Sequence, residues 1–321
     1  MKKKLFFSTI GLTILIGAGL FIDRDTNPLS HYTSDTGKLK FKRAYDRAMA
    51  NLPTPKKTLD LKTSYGTVRV YYFDSGKNTK EPFVLLPGRS ASTPMWSPNL
   101  AGLLKSRSVY TVDLINEAGM SKQTKAITNA EDQAKWLDEA LTQLPESKLH
   151  LIGVSIGGWT ATNYVVHFPN KVASLSLIDP VFVFDNIPLT TILISIPASI
   201  TVIPTPIRNY MLSYISGGAT VKADDPVAQL IETGMHTFSV KTPTPTRISK
   251  EQLKRIDIPV FALMAGRSVM NDSETAVSNA QESLKKGTVD MIKDASHAIN
   301  GEYADEVNTK IIHFVDTVAP M

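Results

Sequence analysis

The chain contains no cysteine among its 321 residues. That absence excludes a disulfide scaffold, a thiolate metal site and a cysteine nucleophile together, although it does not by itself fix a compartment. An excess of either charge is also missing. The formal net charge is +5, but with Lys2, Lys3 and Lys4 set aside 32 basic residues face 30 acidic ones, so nucleic acid is not an implied partner. No metal cluster, phosphate loop or dinucleotide motif occurs in the sequence, and none of the chemistry read below requires a cofactor. No internal repeat is visible. A chain of this length can bury one large core, and strand-like and helix-like segments alternate along most of it, so one domain with an insertion is expected rather than two.

Two uncharged runs stand out. The first, Leu5 to Ile22, follows Lys2–Lys4 and is closed by Asp23, Arg24 and Asp25. A run of about 18 apolar residues just crosses a hydrocarbon core, so residues 1–25 read as a membrane anchor or an export signal. The positive cluster comes first, which keeps the tip in the cytoplasm and puts the body outside. Gly17-Ala18-Gly19 is the only small-residue stretch and would set a cleavage site inside the run, which is also longer than the usual signal core. An uncleaved single-pass anchor at the cell membrane, with an extracytoplasmic domain, is therefore expected over secretion after cleavage. No cysteine follows the run, so a lipoprotein anchor is excluded. Residues 26–57 are polar, contain Pro28, Pro53 and Pro55 with a helical patch around Phe41 to Leu52, and read as a tether.

From Thr58 to Phe73 the sequence alternates and is split by Gly66, as a β-hairpin would be. Branched, apolar runs then recur at 83–86, 109–114, 149–154, 172–178, 260–264 and 289–292, separated by helix-length segments. Such runs suit strands of a mostly parallel sheet covered on both faces by helices. Ala134, Leu137, Leu141 and Leu144 lie at helical spacing, with Asn129 or Thr128 as the N-cap. The rhythm breaks between about 181 and 255. There the second uncharged run, Ile187 to Ile207, contains Pro188, Pro197, Pro204 and Pro206, which forbid one continuous spanning helix. An inserted apolar helical cap lining an acyl-sized pocket is expected, with a membrane-dipping segment as the alternative. Lys241 to Arg247 would return the chain to the sheet.

Directly after the run Leu149-His150-Leu151-Ile152 stands Gly153-Val154-Ser155-Ile156-Gly157-Gly158-Trp159. A strand followed by G-x-S-x-G is the nucleophile-elbow pattern. A serine hydroxyl is a weak nucleophile until a base reaches it, so the chain lifts it out of the sheet on a sharp turn. Glycines two residues before and after it then remove side chains that would clash. Of six histidines, His297 is the one expected to reach Ser155, because Lys293–Ala298 follows the last strand at the carboxyl edge of the sheet. His150 reads as a core residue, His167 and His313 as helix residues that pack or face solvent, His31 as part of the tether, and His236 as part of the cap. The order serine, acid, histidine leaves a wide window for the acid.

Over residues 58 to 318 the sequence resembles the α/β-hydrolase superfamily, and within it the bacterial carboxylesterases of the Bacillus type. The residues behind that resemblance are Phe41–Asp46, Val84-Leu85-Leu86-Pro87-Gly88-Arg89-Ser90-Ala91-Ser92 with Met95-Trp96, Tyr110-Thr111-Val112-Asp113, the elbow, and Ser296-His297. The resemblance implies an α/β-hydrolase fold over 58–321 and hydrolysis of a small hydrophobic carboxylic ester through an acyl-serine. The oxyanion donors would be the backbone N–H groups of Ile156 and Arg89. Two departures stand against the family pattern. Pro87-Gly88 replaces the usual His-Gly, and Arg89 is a stranger whose side chain could pair with an acid, stay in solvent or meet an anionic group; pairing is the preferred reading. Gly266 is followed by Arg267, Ser268 and Val269, so the acid commonly found there is missing. Asp179, ending the strand Val172–Ile178, is the preferred candidate, with Asp272, which also reads as a helix cap, as the alternative. Asp113 reads as the residue that organises the loop after its strand, and Trp96 and Trp159 as packing near the site. The alternative to an enzyme is a non-catalytic, membrane-tethered ligand-binding protein on the same fold, which the two departures keep open.

Overall fold

The apolar runs become strands whose side chains alternate between two cores. In the computed structural model the described residues are 25–77, 81–198, 214, 218 and 224–318. Their strands in chain order are β1 (His31–Tyr32), β2 (Lys57–Thr63), β3 (Gly66–Phe73), β4 (Phe83–Leu86), β5 (Val109–Val112), β6 (Lys122–Gln123), β7 (Leu149–Val154), β8 (Val172–Ile178), β9 (Phe238–Ser239), β10 (Val260–Ala265) and β11 (Gly287–Ile292). Among the described residues nine of these form one sheet, ordered β11-β10-β8-β7-β4-β5-β3-β2, with β6 paired to β3. The run from β11 through β5 is parallel throughout, and the β2–β3 hairpin is added antiparallel. Along β4, Phe83 and Leu85 enter one core and Val84 and Leu86 the other, the period-2 alternation of a strand buried on both faces.

Helices close both faces. Trp136 and Leu137 of helix Ala130–Leu141, the elbow helix Ile156–His167, and Ala276 and Ala280 of helix Ser273–Ser283 cover one side. Leu100 and Leu103 of helix Ser97–Leu104 and Val307 and Ile311 of helix Ala304–Val318 cover the other. Helix Ala130–Leu141 starts where Asn129 accepts the Asp132 N–H at 2.8 Å, a side-chain N-cap.

Residues 26–57 correct the expectation of a tether. Asp35–Met49 is a helix capped by Ser34, and its stripe Gly37, Phe41, Ala44, Tyr45, Ala48 is buried. Phe41 and Ala48 have no exposed surface, and burying a side chain such as Phe41 stabilises the fold by about 2 kcal/mol. Just before the helix, β1 pairs with β9, and the Tyr32 hydroxyl both donates to the Gly119 carbonyl (3.0 Å) and accepts from its N–H (3.1 Å). The segment is part of the domain. Its outer face carries Lys38, Lys40, Lys42, Arg43, Asp46 and Arg47, and that charge density hides the inner stripe from composition.

The inserted region is described in two pieces. Helix Leu189–Ala198 is anchored by the Thr191 hydroxyl on the Val269 carbonyl (2.6 Å), yet Leu189 and Leu193 are 68% and 59% exposed. Helix Pro226–Thr237 instead packs along the helix Asp35–Met49. Part of the run Ile187–Ile207, and with it the apolar cap expected there, lies outside the described residues, as does the N-terminal stretch Leu5–Ile22. Among the described residues no helix is long and apolar enough to cross a membrane.

At the edge of the sheet opposite the elbow, His150 is 1% exposed and its Nδ1 lies 2.8 Å from the Ser174 hydroxyl. Burial, then the nearby Arg107 guanidinium, push its pKa down to about 4; the carboxylates of Glu81 and Asp316 oppose the shift. The unfolded chain therefore takes up this proton first. Stability from the neutral ring is present above about pH 6.5 and is lost as pH falls toward about 4. Urea denaturation at pH 7 and pH 4.5 checks this: wild type should lose more stability between the two than His150→Gln, and an equal loss in both would refute the assignment.

Candidate active site

Strand β7 ends at Val154 and the next residue is forced into a turn. Ser155 has φ 53° and ψ −122°, a region that costs a non-glycine residue about 1–3 kcal/mol unless its surroundings hold it. The hold is main chain against main chain. A Cβ on Gly153 would lie 2.4 Å from the Gly157 carbonyl oxygen, one on Gly157 would lie 2.2 Å from that of Leu86, and one on Gly158 would lie 2.7 Å from Pro180 Cβ. None of the three glycines is in the left-handed region, so each is there for close approach and not for its φ. The elbow is further tied by the Ser155 N–H to the Ile178 carbonyl at 3.1 Å.

His297 arrives from the loop after β11. The Ser296 N–H donates to Glu302 Oε2 at 2.9 Å, and the Ser296 hydroxyl accepts from Ala298 N–H at 3.1 Å, which curls the loop and turns His297 inward. His297 Nε2 lies 2.9 Å from Ser155 Oγ, and its Nδ1 lies 2.5 Å from Asp179 Oδ2. Of the two candidate acids it is Asp179 that meets the imidazole. Asp179 is fully buried and has φ 40°. Its carboxylate also accepts from the Ser268 hydroxyl (2.6 Å), the Ala265 N–H (3.2 Å) and Asn271 Nδ2 (3.4 Å), so a charge with no solvent contact is paired on both oxygens. Asp272 is the N-cap of helix Ser273–Ser283, accepting the Thr275 N–H at 2.9 Å.

The remaining histidines stay away from Ser155. His31 bonds the Leu29 carbonyl and sits 3.2 Å from Asp25, His167 bonds the Asn163 carbonyl, His236 lies 3.8 Å from Glu232, and His313 is exposed on helix Ala304–Val318. Sequence reasoning missed Ser268, Asn271 and Glu302. Ser268 had a signal: a hydroxyl standing in the loop where an acid was expected and not found. Glu302 had none.

On the other side of the elbow, Gly88 comes within 3.6 Å of Ser155 Cβ, measured from where a Cβ would sit, so Pro87 has not moved the turn away. Arg89 follows it, with its guanidinium 3.6 Å from Glu117. Ile156 is the first residue of the elbow helix, where N–H groups have no acceptor within the helix. Asp113 organises the loops beside this turn. It is fully buried, and burial raises its pKa against the hydrogen bonds that lower it. It accepts from Thr93 N–H (2.9 Å), Thr93 Oγ1 (2.8 Å), Met120 N–H (2.8 Å) and the Tyr45 hydroxyl (2.9 Å). Trp96 is buried beneath, and Trp159 Nε1 donates to the Thr246 carbonyl at 2.9 Å, fastening the segment that returns from the insertion.

Residues 81–199 match a family model described as the alpha/beta hydrolase fold. The crystal structure of naproxen esterase (carboxylesterase NP) from Bacillus subtilis superposes with a TM-score of 0.79 at 22% identity, covering 88% of this chain and 99% of that one. The chain has the α/β-hydrolase fold. The likeness to Bacillus carboxylesterases expected from the sequence also holds. This chain is 24% identical over 287 residues to the Bacillus subtilis (strain 168) protein named uncharacterized carboxylesterase nap, covering 88% of this chain and 93% of that one. It is 23% identical over 283 residues to carboxylesterase YbfK of the same organism, covering 86% and 94%. The crystal structure of YbfK, also called CesB, gives a TM-score of 0.79 at 21% identity, over 87% of this chain and 98% of that one.

The close approach at the elbow makes a sharp prediction. In Gly157→Ala the new methyl meets the carbonyl oxygens of Leu86 and Pro87, neither of which can swing away, so unfolding free energy should drop by about 1–3 kcal/mol or more. A denaturation midpoint unchanged from wild type would show that the elbow has slack.

Proposed function

We propose that this chain is a carboxylesterase that cleaves small hydrophobic esters through an acyl-serine intermediate. The observation that carries the reading is the two-sided contact of one imidazole, His297, with Ser155 Oγ at 2.9 Å and with the buried Asp179 at 2.5 Å. With Nδ1–H donating to Asp179, Nε2 has a lone pair free for the Ser155 proton. Ser155 Oγ attacks the ester carbonyl as that proton passes to His297. The negative charge on the carbonyl oxygen is taken by the Ile156 and Arg89 amides. His297 then protonates the leaving alcohol, and a water, deprotonated by the same ring, releases the acid and frees Ser155. Asp179 orients the ring and stabilises its cation; it does not itself take the proton. No cofactor enters any step.

The relatives support the substrate class. Both Bacillus subtilis proteins above are named carboxylesterases, and each is matched over more than nine-tenths of its length. The two departures that favour a non-catalytic binder lose their weight in this reading. Gly88 keeps its approach to Ser155 in spite of Pro87, and Asp179 stands in for the acid missing after Gly266.

The domain boundary is proposed to precede His31, with the insertion running from about 181 to 255. Ahead of it, we infer from the sequence that Lys2–Lys4 and Leu5–Ile22 act as an uncleaved anchor holding the domain outside the cell membrane. Fractionation of cells expressing the full chain checks this inference. Full-length protein should stay in the membrane pellet after alkaline carbonate washing, and a shortened form in the medium would mean a cleaved signal instead.

For the chemistry, the test is turnover of p-nitrophenyl butyrate. Wild type should be active, and Ser155→Ala and His297→Ala should each lose about 10⁴-fold or more in kcat. Asp179→Asn should lose about 10²–10⁴-fold through the wrong imidazole tautomer, while Asp272→Asn should stay within about twofold, since such a cap change acts on stability. An inert wild type whose Ser155 is not labelled by a fluorophosphonate would defeat the esterase reading.

A further inference from the structure

Arg89 has a second neighbour that the esterase reading leaves unused. Glu117, in the loop after β5, is 3% exposed although it carries a carboxylate. Its Oε2 accepts the Ser90 N–H at 3.2 Å, and its Oε1 faces the Arg89 guanidinium at 3.6 Å. One buried side chain therefore grips the turn on both sides of the Arg89 α-carbon: through the peptide that follows it and through its own side chain.

The turn needs that grip. Ser90 and Ser92 both have positive φ, 56° and 54°, so the stretch after Gly88 is wound in a conformation that non-glycine residues adopt only when held. The turn lies in neither β4, which ends at Leu86, nor the next short helix, which begins at Thr93. The hold comes from the loop after β5, which is itself fixed. Glu117 N–H bonds the Leu114 carbonyl at 3.2 Å, the Ser92 hydroxyl bonds the Ala118 carbonyl, and Asp113 binds both loops through Thr93 and Met120. From above, helix Pro226–Thr237 presses on the turn at Gly234, where a Cβ would lie 3.1 Å from the Ser90 carbonyl oxygen.

We propose that Glu117 is a positioning residue for the oxyanion site, fixing the Arg89 peptide so that its N–H points at the charge that develops on the ester carbonyl. The inference rests on the esterase reading and adds to it a residue that touches neither substrate nor the reacting atoms. A hydrogen-bond donor that must be preorganised contributes mainly in the transition state. Loss of Glu117 therefore lowers kcat and leaves KM nearly unchanged.

The test uses the full-length protein, p-nitrophenyl butyrate, and an alkyl trifluoromethyl ketone, whose adduct with Ser155 carries its oxyanion in the same site. Glu117→Met keeps the length and removes the acceptor. It should lose about 10- to 100-fold in kcat, less than deletion of an oxyanion donor, with KM within about threefold, and the ketone should bind more weakly by the same factor. Glu117→Gln retains an oxygen for the Ser90 N–H and should restore kcat to within about fivefold of wild type. A Glu117→Met enzyme with wild-type kcat, or one whose kcat falls while ketone affinity is unchanged, overturns the proposal. If Glu117→Met does not fold, hydrogen exchange in wild type decides. A Ser90 amide protected like those of Phe83–Leu86 is expected, and one exchanging like an open loop overturns it. A wild type inert toward the ester overturns the esterase reading and this inference with it.

Discussion

Everything at this site depends on two main chains being allowed to touch. The turn after β7 runs so close to the end of β4 that the Gly157 α-carbon lies beneath the carbonyls of Leu86 and Pro87. That contact lets Ser155 hold a strained backbone and stand clear of the sheet. It also sets where the proposed oxyanion amides lie, since Ile156 belongs to one backbone segment and Arg89 to the other. Because β4 and β7 are adjacent parallel strands in register from Phe83–His150 to Leu86–Gly153, their ends rise together. The proposed nucleophile and both proposed donors are thus a property of one strand pair.

Asp179 and His297 come from the other side of β7. Asp179 ends β8 and His297 follows β11, two strands apart with β10 between them. A carboxylate at the end of β8 must reach past β10 to the imidazole, which is why the loop after β10 carries donors instead of an acid. Ala265 N–H, Ser268 and Asn271 all point at Asp179. Gly266 makes this possible, since a Cβ there would fall 2.4 Å from the Lys293 carbonyl oxygen and would part the loops after β10 and β11. The loop after β10, which has no acid after Gly266, thus supports the carboxylate that ends the neighbouring strand β8.

Much of this was readable before any coordinates. Strands 83–86, 149–154 and 172–178 fall on the runs expected for them, because strands buried on both faces are uninterrupted apolar runs with polar ends. Where the run continued past the strand, a polar job ended it: β5 stops at Val112 so that Asp113 can bind the loops, although Leu114 and Ile115 extend the apolar signal. Where the strand outran the pattern, the cause was an edge, as at β11, whose first residues Gly287 and Thr288 are exposed. Ser155 and His297 were legible because their chemistry fixes both residue type and position along the chain. The sequence favours Asp179 over Asp272 without deciding between them, since each ends or begins an element with good local reason, and it is the tertiary path of the loops that brings Asp179 to the ring.

The polar N-terminal segment was misread for a reason that also shows what it does. Its charges sit on one face of helix Asp35–Met49, while Phe41, Ala44, Tyr45 and Ala48 face inward, so average composition resembles a linker and periodicity does not. Tyr45 then reaches the carboxylate of Asp113 and the hydroxyl of Tyr71. Asp113 is the group that joins the loops on either side of the oxyanion turn, and a buried carboxylate that loses a donor is costly. Helix Pro226–Thr237 lies on the same helix and on Ser90. The N-terminal helix is therefore clamped between the sheet and the insertion, directly behind the turn that carries Arg89. A chain begun at β2 would lack the wall against which that turn is set.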